Sequence, residues 1–515
     1  MTQSDTSSAE RTDLRQAARD HLWLPYSPPG VQGRAAEEIR ILDRATGTRI
    51  WDVEGREYID GISALEAMIL EQGDEGIITA MSDQAAQLTF LDVFRWAAAP
   101  QIELAERLTD LAPGMQYAHF VPGGAEADEA AIKMARQYHD LRGEPYRMKV
   151  ITRQGSFHGV TQGAMALDGG YFASRNVVYD GGLTWGRIAP APACHKCDFG
   201  KASRHLACVH TIERLISAES PETVAAVVMD PMASAIAVAC PPDNYMRDLR
   251  EVCNQYGVLL IADEIITGMG RTGRLFATEF SAITPDFMTL SKGLTSGYFP
   301  IAATLVAGHI AEPFIESKTA FRHGHTYAGH PLGAAAALHV VDRVVSERLW
   351  ERAEASGNRL LEGLRSLSGH RFYWDARGRG MLLGLEIVQD GANGTDFPDP
   401  IAAGNELRAR CRDLGLISLI LHPGNILFLA PPLVTSDADI SRPGPATRVK
   451  RAGSAASRGA GAPSPGRGTT ATEHRPSRRS GSFQLPISAK ASLPTISTTV
   501  APGCAASSAA TVSTV

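Results

Sequence analysis

"VAAVVMD" (Val224–Asp230) and "VLLIADE" (Val258–Glu264) are nearly unbroken apolar runs that end in acids. Such runs mark parallel strands buried on both faces. Between them, "YMRDLREVCNQYG" (Tyr245–Gly257) sets Met246, Leu249, Cys253 and Tyr256 at helical spacing and stops at a glycine. A strand, a helix and a second strand in that order predict an α/β fold, with right-handed crossovers in a mainly parallel sheet. Ligands of such sheets bind outside the carboxyl ends of the strands. Asp263, Glu264 and a loop lysine, Lys292 in "TLSKGLTSGYFP" (Thr289–Pro300), all fall at such ends.

Upstream, "VPGGAEADEAAIKMARQYHD" (Val121–Asp140) reads as a glycine turn feeding a helix whose buried stripe is Ala127, Ala131, Met134, Ala135 and Tyr138. Amides at Gly123, Gly124 and Ala125, with the positive end of the helix dipole, form an anion site. Gly-Gly before a helix is also an ordinary turn, so this motif decides nothing alone. It is followed by an aromatic-His-Gly turn (Phe157, His158, Gly159), the strand-end Asp263 and Lys292. Pyridoxal 5′-phosphate needs those four partners: an anion site, an aromatic face, a carboxylate at the ring nitrogen and an amine for the Schiff base.

Three longer stretches carry a resemblance to a known family: "GVLLIADEIITGMGRTGRLFATEF" (Gly257–Phe280), "PDFMTLSKGLTSGYFPIAA" (Pro285–Ala303) and "HGHTYAGHPLGAAAAL" (His323–Leu338). They resemble the class III (ω-) aminotransferases of fold type I, and the similarity runs from His21 to Ile440. The resemblance implies that Lys292 is the internal-aldimine lysine and Asp263 the partner of the pyridine nitrogen. Phe157 would stack on the ring, with His158 beside it and Ile265 on the other face. Gly124 and Ala125 would give amides to the phosphate, and Thr326 would reach the phosphate of a neighbouring subunit's cofactor. A homodimer follows. The implied organisation is an N-terminal segment (1–75) belonging to a smaller α+β domain, a large cofactor domain (76–325) and the rest of the small domain (326–440).

Several positions depart from the family. Ala125 stands where a serine often binds phosphate. Arginines and a glutamate that manage substrate carboxylates are replaced by Phe428, Leu421 and Ala235. Glu66, in "ALEAM" (Ala64–Met68), takes the place of a tryptophan at the substrate mouth. It is placed either to select a cationic amine or to face solvent. Trp23, Arg95 and His422 complete the candidate substrate contacts, Arg95 and His422 being equally suited to surface or interdomain ion pairs. "CHKCDFGKASRHLACVH" (Cys194–His210) has zinc-like residue types, but similar inserts occur in the family without a metal role, and no metal is assigned.

Composition narrows the classes further. The 515 residues are 44% hydrophobic and 21% charged, with seven cysteines, too few and too scattered for a disulfide framework. No run of apolar residues reaches the length of a membrane span, and the polar N-terminus lacks a signal core, so a cytoplasmic protein is expected. Of 50 basic and 56 acidic side chains, ten basic and one acid (Glu473) lie from Ser441 onward. The first 440 residues therefore carry 40 and 55, a balance of −15, which disfavours nucleic acid. From Ser441 the chain turns to "SRPGPATRVKRAGSAASRGAGAPSPGRG", without periodicity. This segment is expected to be disordered. A frameshift near Ile440 and a genuine basic tail remain the two origins for it.

The expected function is transfer of an amino group from a primary amine or ω-amino acid to a keto acid such as pyruvate, by a ping-pong mechanism. The alternatives are a decarboxylating or aminomutase member of the family, or a cofactor-binding protein left inactive by a defective C-terminus.

Overall fold

Because β7 (Val224–Met229) and β8 (Leu259–Asp263) are buried along their whole length, they need neighbours on both sides and layers on both faces. The computed structural model supplies both. It describes residues 8–33, 37–169, 184–190, 207–233, 238–421 and 423–441, all within the unit Met1–Gly461.

The central sheet has seven strands in the order β4-β10-β9-β8-β7-β5-β6. The others are β4 (Met115–Val121), β5 (Lys149–Arg153), β6 (Gly186–Ala189), β9 (Phe287–Leu290) and β10 (Ala302–Ala307). Strand β10 runs antiparallel to both β4 and β9, while the pairings from β9 through β8, β7 and β5 to β6 are parallel. This is the fold type I arrangement, a mainly parallel sheet with one reversed strand.

The helix Tyr245–Tyr256 buries Met246, Leu249 and Cys253 as predicted, with Tyr256 half-buried, and ends on Gly257 at φ 63. The helix Gly124–Leu141 buries the whole predicted stripe and also hides Asp128 and His139. An acid inside a helix core is unexpected from its sequence, and its reason appears at the site.

Two four-stranded sheets draw on both chain ends. One joins β1 (Leu42–Thr46), β2 (Arg49–Asp52) and β3 (Glu57–Asp60) to β13 (Leu416–Ile417); the other is β11 (Tyr373–Arg379), β12 (Leu382–Ile387), β15 (Ile426–Leu429) and β14 (Leu419–Leu421). The fully buried Arg271 ties these segments together. Its guanidinium donates to the carbonyls of Met381, Ala430, Pro431 and Met68 and to the Ser63 hydroxyl. The last described element is the short helix Asp437–Ser441. The expectations of a disordered tail and of a frameshift fall outside the described residues. No helix among the described residues is long and apolar enough to cross a membrane.

Candidate active site

The carboxyl ends of β4, β5, β7, β8 and β9 converge on one cavity of about 610 Å³, part of it open to solvent. It is lined by Gly124, Ala125, Phe157, His158, Asp263, Ile265 and Lys292, and by Gly159, Asp230, Ile266 and Ser291. Seven predicted cofactor contacts are thus brought together from four separate loops.

At one wall the helix Gly124–Leu141 begins after an extended Gly123 that offers no side-chain cap. Its first amides and its dipole face the cavity, which suits an anionic group. Glycine is required for the close approach here. A Cβ on Gly159, whose φ is +124°, would lie 2.4 Å from the Ala125 Cβ, and one on Gly124 would lie 3.0 Å from Ile265 Cδ1.

At the floor sits Asp263, buried at 5% exposure. Its Oδ1 accepts the Ile265 amide at 3.0 Å and its Oδ2 meets His158 Nδ1 at 2.6 Å. The second imidazole nitrogen, Nε2, is 3.0 Å from the Thr152 hydroxyl. Behind them lies Asp128, whose Oδ1 accepts the Thr289 hydroxyl at 2.9 Å and whose Oδ2, with no hydrogen-bond partner, is 3.9 Å from His158 Nδ1. Complete burial, followed by the neighbouring Asp263, pushes the Asp128 carboxyl well above the usual range. Asp230, at the end of β7, pairs with the buried Arg153 at 2.5 Å, and burial raises its carboxyl too. Composition of the strand "VAAVVMD" already marked Asp230 as a strand-end acid; nothing in the helix sequence marked Asp128.

Lys292 follows β9 in left-handed backbone at φ 39, and its Nζ donates to Glu66 Oε2 at 2.6 Å. Glu66 is only 6% exposed. It closes a run of four non-glycine residues at positive φ: Ser63 (51°), Ala64 (46°), Leu65 (71°) and Glu66 (59°). Left-handed helical backbone costs an L-residue about 1–2 kcal/mol, so this turn persists only because its surroundings hold it.

Other candidates lie elsewhere. The Trp23 indole is 72% exposed and donates to the Ser27 carbonyl. Arg95 is exposed and paired with Asp92. Thr326 is exposed and is not among the residues lining the cavity. Leu421 and Phe428 are buried in an apolar cluster with Met232, Val238 and Leu382. His422, Ala235, Cys194, Cys197 and His205 are outside the described residues. Of the remaining pair from the zinc-like stretch, Cys208 is buried and His210 contacts Glu213.

Comparisons with known proteins identify the family. The family described as aminotransferase class-III matches residues 31–443. The chain is 32% identical over 453 residues to the putrescine–pyruvate aminotransferase of Pseudomonas aeruginosa, covering 85% of this chain and 95% of that one. It is similar to a thermostable (S)-enantioselective omega-transaminase from Thermomicrobium roseum, with 35% identity, a TM-score of 0.80, and coverage of 87% and 99%. It is also similar to the omega transaminase of Pseudomonas jessenii solved with PMP, with 29% identity, a TM-score of 0.81, and coverage of 86% and 98%. The chain belongs to the class III aminotransferases.

Proposed function

We propose that this enzyme binds pyridoxal 5′-phosphate in the cavity and moves an amino group from a primary amine or ω-amino acid to a keto acid such as pyruvate, in two ping-pong half-reactions. The convergence of an uncapped helix start, a doubly anchored Asp263 and Lys292 around one cavity carries this reading. These groups suit the cofactor's phosphate, ring nitrogen and aldehyde in turn. When bound, the cofactor supplies an electron sink that stabilises negative charge at the substrate Cα.

The chain supplies the rest. The amides of Gly124 and Ala125 would hold the phosphate, and Phe157 and Ile265 would flank the ring. Asp263 would keep a proton on the ring nitrogen, and its own orientation is set by His158 and the Ile265 amide. Lys292 Nζ would hold the cofactor and, as an amine beside the substrate Cα, would take up and return its proton. Phe428 and Leu421, buried among apolar side chains, offer no charge to a substrate carboxylate.

A cytoplasmic homodimer completes the proposal. Phe94, Trp96 and Tyr327 are 67%, 71% and 63% exposed, and a Cβ on Gly324 would approach the Phe94 ring to 3.0 Å. Exposed aromatics beside Thr326 suit a subunit contact that brings Thr326 to a neighbouring site. A screen of amine donors against pyruvate and 2-oxoglutarate tests the reaction; no transfer from any amine would refute it. Sedimentation of the purified protein tests the dimer.

A further inference from the structure

Lys292 Nζ meets a carboxylate where the proposed reaction needs a free amine. Glu66 is no stray surface charge: it is buried, and the turn that carries it is fastened at several points. Asp60 accepts the amides of Ile62 at 3.0 Å and Ala64 at 2.9 Å. The Ser63 hydroxyl donates to the Ala430 carbonyl at 2.5 Å, and Arg271 donates to Ser63 Oγ and to the Met68 carbonyl. A strained turn fastened in this way aims Glu66 at one atom.

Distance decides between two roles for that carboxylate. A group that reads the far ammonium of a diamine belongs one substrate length from the reacting nitrogen, about 6 Å for a four-carbon chain at standard bond lengths. Glu66 instead has Lys292 Nζ itself as its partner, at 2.6 Å. Nor is it suited to take the proton for good, because carboxylates are about six units weaker as bases than alkylamines.

We propose that Glu66 is a counter-ion lock: it holds Lys292 as a paired ammonium whenever the lysine is not bonded to the cofactor, and thereby limits the rate of cofactor uptake. Attachment requires Nζ to leave Glu66 and lose a proton to solvent. The neutral amine then attacks the cofactor's aldehyde carbon, a C=N bond replaces C=O, and the carbonyl oxygen leaves as water. The inference rests on the proposed cofactor chemistry, but it concerns uptake rather than turnover.

The test strips cofactor from the full-length chain and follows uptake of pyridoxal phosphate and of pyridoxamine phosphate by rapid-mixing absorbance. Wild type is compared with Glu66→Gln and Glu66→Asp, the second keeping the charge but falling one methylene short of Lys292. The aldehyde form must bond to Lys292, whereas the amine form cannot. Both variants should take up the aldehyde form about fivefold faster, the weight of one partly exposed ion pair, with uptake of the amine form unchanged within about twofold. Either variant that still binds the amine form reports on the lock. Unchanged or slower aldehyde uptake in such a variant overturns it while leaving the transaminase reading intact. Failure of the wild type to bind either form defeats both.

Discussion

His158 Nδ1 stands 2.6 Å from Asp263 Oδ2, while the Ile265 amide holds Oδ1, so both oxygens of the carboxylate are oriented by the protein. Only Asp263 is proposed to meet the cofactor nitrogen, and His158 acts through it. A hydrogen bond to a charged group contributes about 1.5–3 kcal/mol. His158→Ala should therefore weaken cofactor binding or slow turnover by roughly 10- to 100-fold, whereas Asp263→Ala should abolish turnover. Cofactor titration and single-turnover rates check this. Unchanged values for His158→Ala would remove the imidazole from any positioning role.

Borohydride reduction of the cofactor-loaded protein should fix the label on the peptide containing Lys292. Lys292→Ala should lose both the label and the visible absorbance. The expectation rests on the position of Nζ at the cavity, beside the carboxyl end of β9. Peptide mapping that finds the label on another lysine rejects the assignment.

Much of this site was legible because its parts obey local rules. Strands β7 and β8 read as buried from their apolar runs, and the glycine turn before the helix Gly124–Leu141 marked a helix start that the fold sets at the cavity wall. The Glu66–Lys292 contact was not legible. Its partners are 226 residues apart, and Glu66 is delivered by four left-handed residues without a glycine among them. Local preference argues against that conformation, and tertiary contacts through Asp60, Ser63 and Arg271 override it. Asp128 escaped notice for a related reason. An acid on an amphipathic helix reads as solvent-facing, whereas here Thr289 and the Asp263–His158 pair give it a buried polar setting.

Donor preference should follow the apolar replacement of carboxylate-binding charges. Phe428 and Leu421 are both buried, at 1% and 2% exposure, in a cluster that offers no counter-ion. Neither position supplies the cation that would offset the desolvation of a bound carboxylate. Simple amines and diamines should therefore have higher kcat/KM than α-amino acids such as glutamate or ornithine. Steady-state kinetics across such a panel decide it, and a glutamate value above that of every amine tested would sink the idea.

Stability should fall as pH rises from about 4.5 to about 7, because of Glu264. This side chain is 1% exposed, and burial pushes its carboxyl from 4.5 up to about 7, despite hydrogen bonds from the Thr267 hydroxyl and the Thr278 amide. Between those values the folded protein holds a proton that the unfolded chain has released. Folding is then linked to proton uptake, so its contribution is complete below pH 4.5, declines as pH rises and is gone above about 7. The loss amounts to about 3 kcal/mol across the window. Glu264→Gln keeps the shape and one acceptor, for the Thr278 amide, and turns a donor toward the Thr267 hydroxyl, as the protonated carboxyl would; it cannot ionise, so its part of the pH dependence should vanish. Thermal unfolding of wild type and variant between about pH 4.5 and 8 measures this, the variant gaining on the wild type up to about pH 7 and keeping a constant margin above it. Parallel curves would show that Glu264 is not the group whose ionisation weakens the fold.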